Sequence, residues 1–162
     1  KPPIRAVFFG DLKMINDNLK LRGDVAIVLK DKDGNIKDTR EISNLVVNTG
    51  LTFICARMAA ASAGVMTHMA VGSGTTSPAA GQTDLVSILG SREALDSTNA
   101  SSNAIVYVAS FEAGEGTGAI TESGIFNASS GSTMLARVTF PVVNKQADDT
   151  MSITHTITLT AS

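Results

Sequence analysis

Apolar and polar residues alternate along most of this chain, and the alternation predicts strands. In the stretch GDVAIVLKDKDGNIKDTREISNLVV, Val25, Ile27 and Leu29 recur at every second position ahead of an Asp33-Gly34 pair. Asp-Gly supplies the positive φ of a tight hairpin turn, so Leu19 to Val47 reads as strand, turn, strand. In IVYVASF, Ile105, Tyr107, Ala109 and Phe111 oppose Val106, Val108 and Ser110. Apolar groups on both faces suit a strand buried between layers. ITESGIF and MLARVTF predict two further strands, and MSITHTITLT a last one with nearly strict period two. There Met151, Ile153, His155, Ile157 and Leu159 share one face, opposite Ser152, Thr154, Thr156 and Thr158. Such a strand buries one side only, and His155 on that side is expected to be a buried or interface histidine.

One segment breaks the pattern. LTFICARMAAAS places Leu51, Ile54, Cys55, Met58 and Ser62 at spacings of three and four, which predicts a helix near residues 50–62. Asn48 or Thr49 is placed to cap it and Gly64 to end it. Cys55, on the apolar face, is expected to be a small buried hydrophobe. The polar, small-residue run from Gly90 to Asn103 predicts an exposed loop. Pro2 and Pro3 keep the start of the chain extended. Ile4, Val7, Phe8 and Phe9 then form an apolar patch, either an edge strand of the parent domain or an arm that docks on a neighbouring subunit. The expected organisation is an extended arm over 1–12 and a single β-rich domain over 13–162, with a possible subdivision near 48. The fold class is mainly β, a β-sandwich or jelly-roll-like arrangement with one short helix.

Composition narrows the function classes. The 162 residues are 43% hydrophobic but only 4% aromatic, with no tryptophan, so a core must be built from aliphatic residues, Met and Phe. Aromatic-rich ligand pockets and single-strand nucleic-acid platforms are disfavoured by that shortage. A net charge of −2 gives no pull toward nucleic acid or an anionic membrane. No apolar run approaches the roughly 18 residues of a spanning helix. The lone cysteine, Cys55, excludes an internal disulfide framework and a multi-cysteine zinc site, which fits assembly in a reducing cytoplasm. KPPIRAVFFGD is too short for a signal-peptide core.

The stretch VGSGTTSPAAGQTD, Val71 to Asp84, is the first place to look for chemistry, because three glycines and several hydroxyls follow an apolar run. Against the dinucleotide fingerprint, Ser77 stands where the third glycine belongs, and Pro78 follows where a helix should open. Against the P-loop pattern the lysine is missing, since none occurs between Lys37 and Lys145. The stretch therefore reads as a connection. DKDGN imitates a calcium loop, but counting from Asp31 the glycine falls fourth and Ile42 stands where the twelfth-position acid belongs. Glu112, Glu115 and Glu122 flank a second glycine cluster and read as a solvated loop. His68, His155 and Cys55 have no spacing that brings them together, and there is no GxSxG elbow. Two Asn-X-Ser triplets begin at Asn99 and Asn127 and are discounted without a secretory signal. No catalytic, cofactor-binding or metal-ligating residue is assigned, and the expectation is a protein that is not an enzyme.

The order of segments resembles a group of small tailed-bacteriophage virion structural proteins, labelled tail-fibre, head-fibre or capsid decoration proteins. The resemblance runs from about Met14 to Leu159 and is carried by VGSGTTSPAAGQTDL and ITESGIFN. It implies a virion component and no catalytic residues. The leading expectation is a capsid decoration, or cement, protein that stabilises the head shell through contacts with the major capsid protein or other virion proteins. It would be assembled in the bacterial cytoplasm as a homo-oligomer, a dimer or trimer, with no cofactor and with neither nucleic acid nor membrane as partner. Ile4, Val7, Phe8 and Phe9 are the expected docking residues. The alternative is a tail, collar or fibre-associated adaptor, and after it a host-surface binding module using the polar loops.

Overall fold

The computed structural model describes residues 19–59, 64–131 and 133–161. Ile4, Val7, Phe8, Phe9 and Ser62 lie outside the described residues. In chain order the elements are β1 (Leu19–Lys30), β2 (Ile36–Val46), α1 (Asn48–Met58), β3 (His68–Gly72), β4 (Glu93–Ala94) and β5 (Ser97–Ser101). They are followed by β6 (Ala104–Phe111), β7 (Gly118–Phe126), β8 (Met134–Lys145) and β9 (Thr150–Ala161). The described residues are mainly β with a single short helix, as the alternation requires.

Among the described residues, nine strands join one antiparallel sheet in the order β4-β3-β7-β8-β2-β1-β9-β6-β5. β2 makes the corner. Most of its length pairs with β1, from Gly23 opposite Asn44 to Lys30 opposite Ile36, while Leu45 and Val46 pair with Arg137 and Ala136 of β8. The sheet thereby curls over, and the inner face of β1, β9 and β6 meets that of β3, β7 and β8. Val25, Ile27 and Leu29 bury their side chains there with Met151, Ile153 and Ile157 from β9. Ile120, Ile125, Val138 and Phe140 oppose them from the second layer. A one-residue slip of β9 would send its whole apolar set to the solvent face, so the sequence pins this register strongly. At the predicted hairpin, Asp31 Oδ1 accepts the N–H groups of Asp33 and Asn35, each at 2.9 Å, and Gly34 takes φ +85°.

Three expectations are corrected. The helix covers Asn48–Met58, and neither Asn48 nor Thr49 caps it; Val47 occupies the cap position, and the Thr49 hydroxyl donates to the Met134 carbonyl at 2.8 Å. Its inward side consists of Gly50, Phe53 and Ile54, so Cys55 is exposed rather than buried. Gly50 decides that rotation: a Cβ there would lie 2.2 Å from the Leu135 carbonyl oxygen, so the helix docks on β8 by bare backbone. The predicted loop between Gly90 and Asn103 contains β4 and β5 instead. β5 is an edge strand with all five residues exposed, which is why its composition carries no apolar alternation.

The two layers also share a polar tie. His155 is fully buried on β9, with Nδ1 3.1 Å from the Asn44 amide nitrogen and Nε2 3.1 Å from Ser123 Oγ on β7. The amide nitrogen can only donate, so Nδ1 accepts and Nε2–H donates to Ser123. Asn44 reaches β9 by crossing β1 at Gly23, where a Cβ would sit 1.3 Å from its side-chain oxygen.

Burial pushes the His155 pKa down to about 3. The unfolded chain takes up its proton near the ordinary value of roughly 6.5, so between pH 6.5 and 3 the unfolded state binds more protons than the folded one. Stability therefore falls as pH drops through that window, by about 3 kcal/mol at pH 4 from this residue alone. Urea unfolding midpoints at pH 7 and pH 4 should separate accordingly, and His155→Gln should narrow the gap by most of that amount.

Candidate interaction groove

Two features of the structure have the burial and definition of a site. The first involves the glycine-rich stretch after β3. Glu122 on β7 and Arg137 on β8 form an ion pair with both side chains wholly buried. Arg137 Nε donates to Glu122 Oε2 at 2.8 Å, and Nη2 lies equally close to the same oxygen. The carboxylate also collects backbone donors from the connection. Oε1 accepts Gly74 N–H at 2.9 Å and Ser87 N–H at 2.8 Å, and Oε2 accepts Val86 N–H at 3.1 Å. Burial acts to raise the Glu122 pKa, but the three amides and the guanidinium outweigh it and hold the carboxyl below its ordinary range. Glu122 is thus not part of a solvated acidic loop.

The same connection is fixed elsewhere along its length. Arg137 Nη1 donates to Gln82 Oε1 at 2.9 Å, Thr121 donates to the Gly74 carbonyl at 2.9 Å, and Leu89 N–H returns to Val71 O at 2.9 Å. Arg92 stacks 3.7 Å above the Phe126 ring and pairs with Asp84 at 3.0 Å. The anion that organises these backbone amides is the protein's own carboxylate, so the place a phosphate would take is filled. Gly72 and Gly74 are small for that reason: a Cβ on either would come within 2.5 Å of Glu122 Oε1.

The second feature is a groove of about 520 Å³ at the β5 end of the sheet. Its floor is the inner face of β6 and β9, through Ile105, Tyr107, Ile157 and Leu159. One wall is α1, with Phe53, Ile54 and Met58, and the other end is closed by Val65 and Met66. Met58 is 81% exposed and Val65 56% exposed, an unusual cost for large apolar side chains at one rim. Among the described residues of the lining, Arg57 is the sole charged one. The groove exists because β5 is short and polar while α1 rests on β8 through Gly50, leaving the mouth of the sandwich wider than the side chains that line it. Apolar burial is the chemistry it offers.

The residues weighed from sequence do not converge. Cys55 faces outward on α1, His68 lies on β3 with its Nδ1 2.8 Å from Thr67 Oγ1, and His155 is sealed between the layers. Glu115 caps its own turn by accepting Glu112 N–H at 2.8 Å. Among the described residues, no group of three or more His, Cys, Asp or Glu is placed to hold a metal ion. No helix of the described residues is long and apolar enough to cross a membrane. The groove escaped sequence reasoning because its lining comes from six separate segments; the one local signal was the exposed side of α1. In comparisons with known proteins, no family model, curated protein or solved structure matches the chain.

Removing one partner of the buried pair should be severe. Arg137→Met leaves a buried carboxylate without its cation and is expected to cost about 3 kcal/mol. The double variant Glu122→Leu/Arg137→Met removes both charges but orphans three amides, so it should not regain wild-type stability. Chemical denaturation of the two variants checks this, and full recovery in the double variant would show that the connection does not depend on Glu122.

Proposed function

We propose that the protein is a bacteriophage virion structural protein, serving as a capsid decoration or cement subunit rather than as an enzyme. The observation that carries this reading is the open apolar groove, set in a fold whose long connection is tied down by a buried ion pair. A groove lined by aliphatic, Phe and Met side chains, with one cation among its described residues, is suited to an apolar polypeptide segment rather than to a polar metabolite. A cement subunit works by adding buried apolar area across junctions between shell proteins, and each fully buried Val, Leu, Ile or Phe contributes roughly 1.5–3 kcal/mol before ordering costs. Ile4, Val7, Phe8 and Phe9 offer a segment of matching chemistry to a neighbouring subunit. The segment resemblance to tailed-phage virion proteins supports the same reading. Partners are then the major capsid protein or other virion proteins, together with further copies of this chain, and the place of action is the virion.

Quantitative mass spectrometry of particles tests the station. A copy number that scales with the number of capsid subunits is expected, whereas a handful matching tail symmetry would sink the cement reading. Met58→Glu puts a charge on the rim without touching the core. It should weaken binding to undecorated shells at least tenfold, about 1.4 kcal/mol, with an unchanged melting temperature.

A further inference from the structure

We propose that in the unassembled subunit the groove is occupied by the chain's own Ile4–Phe9 segment, so that a partner must displace it. This rests on the groove being the assembly site, and it names how that site is regulated.

The geometry of the tether supports it. The chain enters the sheet at Leu19, which pairs with Ala161, and two positions along Leu21 pairs with Leu159, a floor residue of the groove. From β1 the next two strands are β9 and β6, the two that make the floor. With strands about 4.8 Å apart, the centre of the floor lies roughly 10 Å across and a few residues along from Leu19. Nine residues, 10–18, separate Phe9 from Leu19, and they span up to roughly 30 Å when extended. The segment reaches its own groove with slack to spare. A tether of this length presents the segment at an effective concentration on the order of millimolar, above that of a second copy in dilute solution.

The chemistry supports it as well. In an extended conformation Ile4, Ala6 and Phe8 share one face, so three apolar groups point the same way at strand spacing. The groove is bordered by Thr98 and Ala100 of β5, the outer strand of the sheet on that side. A segment laid across the floor passes over the row Ala100, Ile105, Ile157, which neighbouring strands place side by side on one face, and its apolar side chains enter the groove. Met58 and Val65, exposed at the rim, gain cover from it.

Disulfide trapping tests the placement. In a Cys55→Ser background, Phe8→Cys is combined with Met58→Cys, and separately with Val65→Cys in case the first pair perturbs folding. The control combines Phe8→Cys with Ser43→Cys on the opposite side of the sheet. Under a mild oxidant at low micromolar protein, the groove pairs should form an intramolecular disulfide at least tenfold faster than the control. In the oxidant-free protein, Phe8→Asp/Phe9→Asp should raise the fluorescence of a hydrophobic dye several-fold over the unmodified chain. Equal rates for groove and control pairs would overturn the proposal, as would covalent dimers in place of monomers, which would assign the groove to a second copy. Shell binding separates the two readings. If self-occupancy fails, the intact chain still binds shells through Met58; if the assembly reading fails, the crosslink forms but shells do not bind.

Discussion

A carboxylate with no solvent exposure must find all its partners inside the protein, and Glu122 finds them in two directions. Arg137 on the neighbouring strand neutralises it, and three amides of the connection after β3 complete its shell. The isolated desolvation cost of either charge is several kcal/mol, so neither residue tolerates the other without the covering chain. That covering chain carries Leu85 onto Val47, Ala70, Phe126 and Met134, a second small core on the outer side of the sheet. The result is a layer buried on both faces, which explains why β7 is inaccessible from Ile120 to Phe126 although its sequence contains Thr, Glu, Ser and Gly.

Legibility in the sequence followed locality. The alternation in β9 could be seen because every residue that decides it lies within ten positions, and the structure buries Met151, Ile153, His155 and Ile157 together. The hairpin after β1 was equally local. Glu122 was misread because nothing near it in sequence signals burial; its cation is in the next strand, and its amides lie more than thirty positions upstream. The glycines of VGSGTTSPAAGQTD were visible, and their purpose was not, because the group they make room for belongs to β7. Helix α1 has too small an apolar bias for its own sequence to set its rotation, so contact at Gly50 decided it and left Cys55 outside. β5 was invisible as a strand because an exposed edge needs no apolar face.

The groove and the buried pair divide the molecule's roles. One end is fully satisfied, with donors matched to acceptors across layers; the other retains apolar surface that the described residues do not cover. A fold with both properties can hold a surface in a constant shape while leaving one interaction to be completed by another segment. That division is consistent with a subunit whose contacts are made by burial, since few charged groups are spent near the groove.

Gly23, Asn44 and His155 are far apart in the chain but behave as one position. The Asn44 side chain occupies the space a Cβ on residue 23 would need, and its amide donates to the imidazole that links the layers through Ser123. Among descendants of this sequence, a side chain at 23 becomes acceptable only after 44 has shortened, and a shortened 44 leaves the imidazole without its donor. The order in which these substitutions arise is therefore constrained: 44 must change before 23, and that first step leaves the buried imidazole without its donor. A lineage in which residue 23 is no longer glycine should carry the record of a shortened residue 44.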